Sequence, residues 1–236
     1  MSLAEPVSPE IMVLAELGLI YPPSSLILVE CSPETSPEVV FLEFVVRRMT
    51  SGERTLVLSL RQDLLEDLRR SSVPFPVFSR YKHMMESAVS PDEFSSKAES
   101  RGIPLLSYAK ANDAREIAEE IAKHAELFPF IYVYAVDLAA LEEPGALESL
   151  AEAAEKTKRS RKRGSLTFFV DEAVRFRSAG RRLEYAADLV YRLVAASETG
   201  RALIVLARAK FTARPRVRIE YSITKEGVSF ELVREI

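Results

Sequence analysis

Between two apolar runs the chain reads Glu30-Cys31-Ser32-Pro33-Glu34-Thr35-Ser36-Pro37-Glu38, which holds a thiol, three hydroxyls and three carboxyls. Such a set could serve nucleophilic, acid–base or phosphate chemistry, and each needs different neighbours. A serine or threonine nucleophile needs a base within hydrogen-bonding reach. Neither His83 nor His124 stands at catalytic spacing to Ser32, Thr35 or Ser36. The Cys31 thiol lies beside Glu30 and Glu34, whose charges disfavour the thiolate. One cysteine and two histidines argue against both a disulfide framework and a structural zinc site. Elsewhere, Asp137 ends the apolar run from Phe128 to Val136 and could hold a cation or cap a turn. Lys156, Lys158, Arg159, Arg161, Lys162 and Arg163 place six positive charges in eight residues. Arg175, Arg177, Arg181 and Arg182 form a second basic group after Asp171, with Phe176 between two arginines. Clusters of this kind suit phosphate backbone or an acidic partner, and Phe176 could stack on a base. The first would equally suit the last turn of a helix, where cations oppose the dipole.

The elements that must position these groups are legible in the apolar pattern. Ser25–Glu30 is a short apolar run after Tyr21-Pro22-Pro23-Ser24 and reads as a buried strand. Cys31–Pro37 is a loop with two prolines. Ser36 before Pro37 marks a helix start, N-cap then first position, and the helix should end near Ser51-Gly52. Thr55–Leu60 is a second buried strand, and Leu64, Leu65 and Leu68 give the next helix its apolar face. This β-α-β-α order opens a parallel sheet. Val73–Ser79, with two prolines, reads as an edge strand or loop, and Tyr81–Arg101 as helix in pieces. Ile103–Tyr108 reads as a short strand, Asn112–Leu127 as a surface helix and Gly145–Lys158 as a second amphipathic helix. The six basic residues then fall in an exposed turn before the strand Gly164–Val170, and the second basic group in a loop. Strands are expected at Leu189–Val194, Ala202–Ala207, Arg216–Ile223 and Val228–Val233. The last two are joined by Thr224-Lys225-Glu226-Gly227, a hairpin signal.

With 236 residues, 47% hydrophobic and 28% charged, the composition is that of a globular chain able to bury its own core. No apolar run approaches the ~18 residues that span a bilayer. The start, MSLAEPVSPE, lacks the basic and apolar regions of a signal peptide, so a cytoplasmic location is expected. A net charge of −3 excludes wholesale electrostatic binding to nucleic acid. One asparagine (Asn112), one glutamine (Gln62) and 23 arginines against nine lysines fit a protein built for high temperature.

The strand–loop–helix from Leu26 to Phe44 resembles the phosphate-binding segment of the RecA superfamily, in particular its KaiC-like branch, where the loop reads E-G-x-P-G-T-G-K-S/T. Glu30, Pro33 and Thr35 match. Cys31, Glu34 and Ser36 replace the glycines, Pro37 the lysine and Glu38 the magnesium-binding hydroxyl. Tyr21–Leu28 resembles the family's P-x-G-S-L-I-L lead-in, and Phe130–Asp137 its second nucleotide-site strand with the acidic residue at Asp137. Ala187-Asp188-Leu189-Val190 is similar to its A-D-x-V-I-x-L strand. Ala202–Lys210 is similar to the strand after it, with Arg208 and Lys210 swapped relative to the family's K-x-R pair. Ile223–Val228 resembles the I-T-x-x-G-I/V finish.

The resemblance implies one RecA-like P-loop domain over residues 1–236. Its lead-in would cover 1–23, its central sheet would be twisted and mostly parallel with flanking helices, and antiparallel strands would extend it over 215–236. It also implies self-assembly or a complex with an active paralogue, with Arg208 and Lys210 reaching a neighbour's nucleotide. The site itself departs from the pattern twice. Pro37 has neither N–H nor charge, and Glu38 puts a carboxylate where phosphate would sit. Glu34 and Ser36 reach positive φ only at a cost that glycine avoids. After the second strand, Arg61-Gln62 stands where the family carries acidic residues, including a water-activating glutamate, and neither is a general base near neutral pH. The expectation is a pseudo-ATPase without resident cofactor or metal, acting as a regulatory or assembly subunit. The alternatives are a nucleic-acid-binding accessory in DNA recombination or repair and a residual ATP-binding protein or ATPase with a non-standard phosphate loop.

Overall fold

Seven buried residues make β1 (Ser25–Cys31) the central strand of the sheet, as a run bounded by turn residues and apolar on both faces should. The computed structural model describes residues 9–11, 14, 20–71, 73–97, 105–195, 202–211 and 217–233. After β1 come α1 (Pro37–Thr50), β2 (Thr55–Leu60), α2 (Leu64–Arg70), α3 (Phe75–Glu86) and α4 (Pro91–Lys97). The middle holds β3 (Leu106–Ala111), α5 (Ala114–His124), β4 (Phe130–Ala135), α6 (Leu138–Leu141) and α7 (Ala146–Ser160). The last part holds β5 (Ser165–Asp171), α8 (Ser178–Ala186), β6 (Leu189–Ala195), β7 (Ala202–Ala209), β8 (Arg218–Thr224) and β9 (Gly227–Leu232). Short 3₁₀ turns at Pro33–Thr35 and Glu172–Phe176 follow β1 and β5.

These nine strands form one sheet in the order β3-β2-β4-β5-β1-β6-β7-β8-β9. The first six are mutually parallel and the last three antiparallel. Side chains alternate between two cores. Ile27, Val29, Phe130, Tyr132 and Tyr134 face α1, α2 and α3. Leu26, Leu28, Ile131 and Val133 face α5, α7 and α8. The chain leaves β1 for β2 across the first face and passes from β5 to β6 across the second. Strand order therefore reverses at β1, and in open α/β sheets the crevice at the carboxyl ends beside such a point is where ligands bind.

Several expectations change. Val73–Ser79 is neither strand nor loop, because α3 begins within it. Pro74 is its N-cap and Pro76 sits in the first turn, where no N–H is needed. Val77, Tyr81, Met84 and Met85 then bury one helical stripe. The strand expected at Ile103–Tyr108 is β3, three residues further on, and its first two expected residues lie outside the described ones. Arg216 and most of the 1–23 lead-in also lie outside them. The lead-in residues that are described pack inward. Glu10, Ile11 and Leu14 are buried, and Oε1 of Glu10 accepts hydrogen bonds from Arg48 at 2.8 Å and Tyr132 at 2.5 Å. Among the described residues, no helix is long and apolar enough to cross a membrane.

Candidate functional site

The loop after β1 is held closed by its own side chains. Thr35 Oγ1 donates to the Ser32 carbonyl at 2.6 Å, and the Ser32 hydroxyl donates to Glu34. Tyr221, on β8, donates its hydroxyl to the Thr35 carbonyl, so the antiparallel extension clamps the turn from above. Ser36 stands at the N-cap of α1, as expected, but in the left-handed region (φ 48°, ψ 57°), and its side chain makes no capping bond. An L-residue there carries a steric cost of about 1–2 kcal/mol that glycine avoids. Glu34 sits in the 3₁₀ turn instead. The backbone thus takes a glycine-like conformation at Ser36, one of the positions where the resembled loop carries glycine.

Beside this loop, at the carboxyl ends of β1, β4 and β5, lies a cavity of about 360 Å³. Glu38, Asp67 and Asp171 line it, with Cys31, Gln62 and Tyr134. Burial pushes the Glu38 carboxyl up, against the opposing pull of its own backbone N–H and Ser71. Burial likewise raises Asp67, with Arg70 the main opposing charge. Burial first, then Asp171 and Glu30, push the Cys31 thiol well above its ordinary range, so it stays neutral. Three carboxyls face one guanidinium, Arg70, which is paired with Glu66. A triphosphate would meet net negative charge at a helix start whose first residue, Pro37, offers no N–H.

The raised Glu38 carboxyl sets a pH dependence. The unfolded chain ionises at the ordinary carboxylate value and the folded one at a higher pH. The stabilisation is complete below the ordinary value and is lost as pH rises through the folded one. Glu38→Gln should therefore raise the melting temperature by a few degrees at neutral pH and leave it unchanged below about pH 4, read from thermal melts across that range.

The other expected nucleotide-site residues do not converge on the cavity. Asp137 accepts a hydrogen bond from the Ala140 N–H at 3.1 Å and caps α6. Arg61 turns back with φ 59°, donates to the Asn112 carbonyl at 2.7 Å and pairs with Glu143. Gln62 alone of the three lines the cavity. Glu30, 2% exposed at the end of β1, is bound by Arg192 at 2.6 Å. Asp67, Tyr134 and Tyr221 escaped sequence reasoning. Their one legible signal was Tyr132 and Tyr134 placing hydroxyls within an otherwise apolar strand.

No family model matches the chain, and no curated protein matches it either. Its function must therefore be argued from its own geometry.

The basic residues divide between the helix-end and exposed-turn alternatives, Arg161, Lys162 and Arg163 following α7 before β5. Lys156, Lys158 and Arg159 lie in the last turns of α7, which runs two residues beyond the expected Lys158, whereas Arg181 and Arg182 lie on α8, not in a loop. The apolar stripe Ala179, Leu183 had been masked by the arginines around it. Packing of α8 on α7 brings the two groups together, and Glu155 pairs with both Arg182 at 2.9 Å and Arg159 at 3.7 Å. Lys158 binds Asp188, Arg163 binds Glu53 at 2.6 Å, and Arg177 binds Glu142. Arg175 reaches Glu172 and lies 4.7 Å from the Phe176 ring centroid. Arg161 is sunk among the carbonyls of Phe128, Pro129 and Ser165, and burial pulls it down to about 10. Seven of the ten cations thus spend their charge inside the fold, while Lys156, Lys162 and Arg181 have no partner among the described residues. Arg208 and Lys210 sit at the amino end of the parallel strands, away from the cavity. They donate to the carbonyls of Ala187, Tyr185 and Ala186 at the end of α8.

Proposed function

We propose that this chain is a non-catalytic relative of the KaiC-like branch of the RecA superfamily, a pseudo-ATPase that works as a regulatory or assembly subunit through protein–protein contacts. The observation that carries the reading is the turn into α1. Ser36 is left-handed, Pro37 removes the N–H and the cation, and Glu38 is buried where phosphate would approach. A parallel sheet whose order reverses at this strand supports the ancestry. Arg61, turned away to Asn112 and Glu143, supports the loss of hydrolysis. Exposed aromatics, Phe75, Phe176 and Tyr185, each at least 70% exposed, support a role in contact with partners, since interfaces are enriched in such side chains. A second copy or an active paralogue as the partner rests on resemblance alone.

The test is a thermal-shift titration of the purified chain with ATP and ADP, each with and without Mg²⁺. No change in melting temperature up to millimolar nucleotide is expected. A saturable rise would show that a nucleotide site persists and would sink the closed-site reading.

A further inference from the structure

We propose that the cavity at the carboxyl ends of β1, β4 and β5 binds a small organic cation bearing a guanidinium or primary ammonium group. The proposal shares its cavity with the pseudo-ATPase reading but does not depend on ancestry. The first support is charge: Glu38, Asp67 and Asp171 line the cavity against Arg70, and Arg70 is already paired with Glu66. The second, independent support is Tyr134. It is 1% exposed, its ring packs edge-on against Phe41 at 5.1 Å, and it lines the cavity. Its hydroxyl has no hydrogen-bond partner among the described residues. The ring is buried while the residue forms part of the cavity wall, so the hydroxyl must be met by what enters the cavity, a ligand or water.

Two further atoms ask for the same partner. Oδ2 of Asp67 and Oε1 of Gln62 are buried without a hydrogen bond. Both accept and neither donates, so a ligand there must bring hydrogen-bond donors, and beside three carboxyls a cationic donor fits best. A guanidinium carries five donors and an ammonium three, with no acceptor to clash with the carboxyls. Charge-assisted bonds of this type are the strong ones. The cavity, about 360 Å³, lies at the lower end of the range of small-molecule sites. A bare metal ion suits it less, because no group of three His, Cys, Asp or Glu side chains able to hold one occurs among the described residues.

Isothermal titration calorimetry on the full chain, at fixed ionic strength, tests this with agmatine, putrescine and the neutral isostere 1,4-butanediol. Saturable binding of both cations and none of the diol is expected. Asp67→Asn should weaken agmatine roughly tenfold, and Tyr134→Phe should weaken it too with little change in melting temperature. If Asp67→Asn does not fold, Glu38→Gln takes its place. Absence of saturable binding by either cation overturns the proposal, as does binding that both variants leave intact. ATP–Mg²⁺ in the same format separates the two readings. Its binding would sink the closed-site reading whatever agmatine does, whereas silence from agmatine alone overturns only this one.

Discussion

Replacing Arg48 by methionine should destabilise the fold by about 3–5 kcal/mol, a fall on the order of 10 °C in melting temperature. Arg48 is 6% exposed and its guanidinium lies 4.0 Å from the Phe130 ring centroid while binding Glu10. Burial alone would lower its pKa, but the Glu10 and Tyr132 neighbours outweigh that and the net direction is upward. Methionine would keep much of the packing and leave the Glu10 carboxylate, 3% exposed, without its counter-charge. An uncompensated buried charge is costly, whereas a buried pair replaced as a whole is often nearly neutral. The double variant Glu10→Met/Arg48→Met should therefore recover most of the loss. Urea denaturation of the unaltered protein, the single variant and the double variant checks this. Equal losses in single and double variants would show that packing against Phe130, not the ion pair, holds the segment at Glu10.

The second large effect is expected at Gly164. Its φ is +97°, and a Cβ there would stand 1.6 Å from the Pro129 carbonyl oxygen. That oxygen already receives the Ser165 N–H at 2.9 Å and the Arg161 guanidinium, and the Gly164 carbonyl accepts from Ser25 at 3.2 Å. Gly164→Ala must push apart the entries to the paired strands β4 and β5, of which β5 borders the central strand. A loss of about 3 kcal/mol or more is expected. Gly52→Ala is the internal control. Its φ is +76° but nothing lies within 4 Å of the added methyl, so only the backbone strain of about 1 kcal/mol should appear. Similar losses at both positions, by urea denaturation, would refute the close-approach argument.

Arg161 and Asp137 mark where sequence reading reached its end. Both were visible as chemistry-bearing side chains, and both turn out to hold the backbone of their own neighbourhood. A charge in a sequence says that it must be solvated or paired, but not by what. Glu53 and Arg163 are 110 positions apart and meet only because β2 and β5 lie in one sheet. The misread Val73–Ser79 had a local cause. Proline is compatible with both an edge strand and a helix start, and the buried stripe that decides between them extends to Met85.

By itself the sequence determined the order of the strands, the β-α-β-α opening, the C-terminal hairpin and the proline and carboxylate that begin α1. These follow from local facts: apolar runs bounded by turn residues, a proline without N–H at position 37, a carboxylate at position 38. Only the tertiary structure decided which cations are available to a partner and that Asp67, Tyr134 and Asp171 share one cavity with Glu38. Pairing and enclosure depend on distances through space, and the chain sets those only once a parallel sheet has brought distant strand ends side by side.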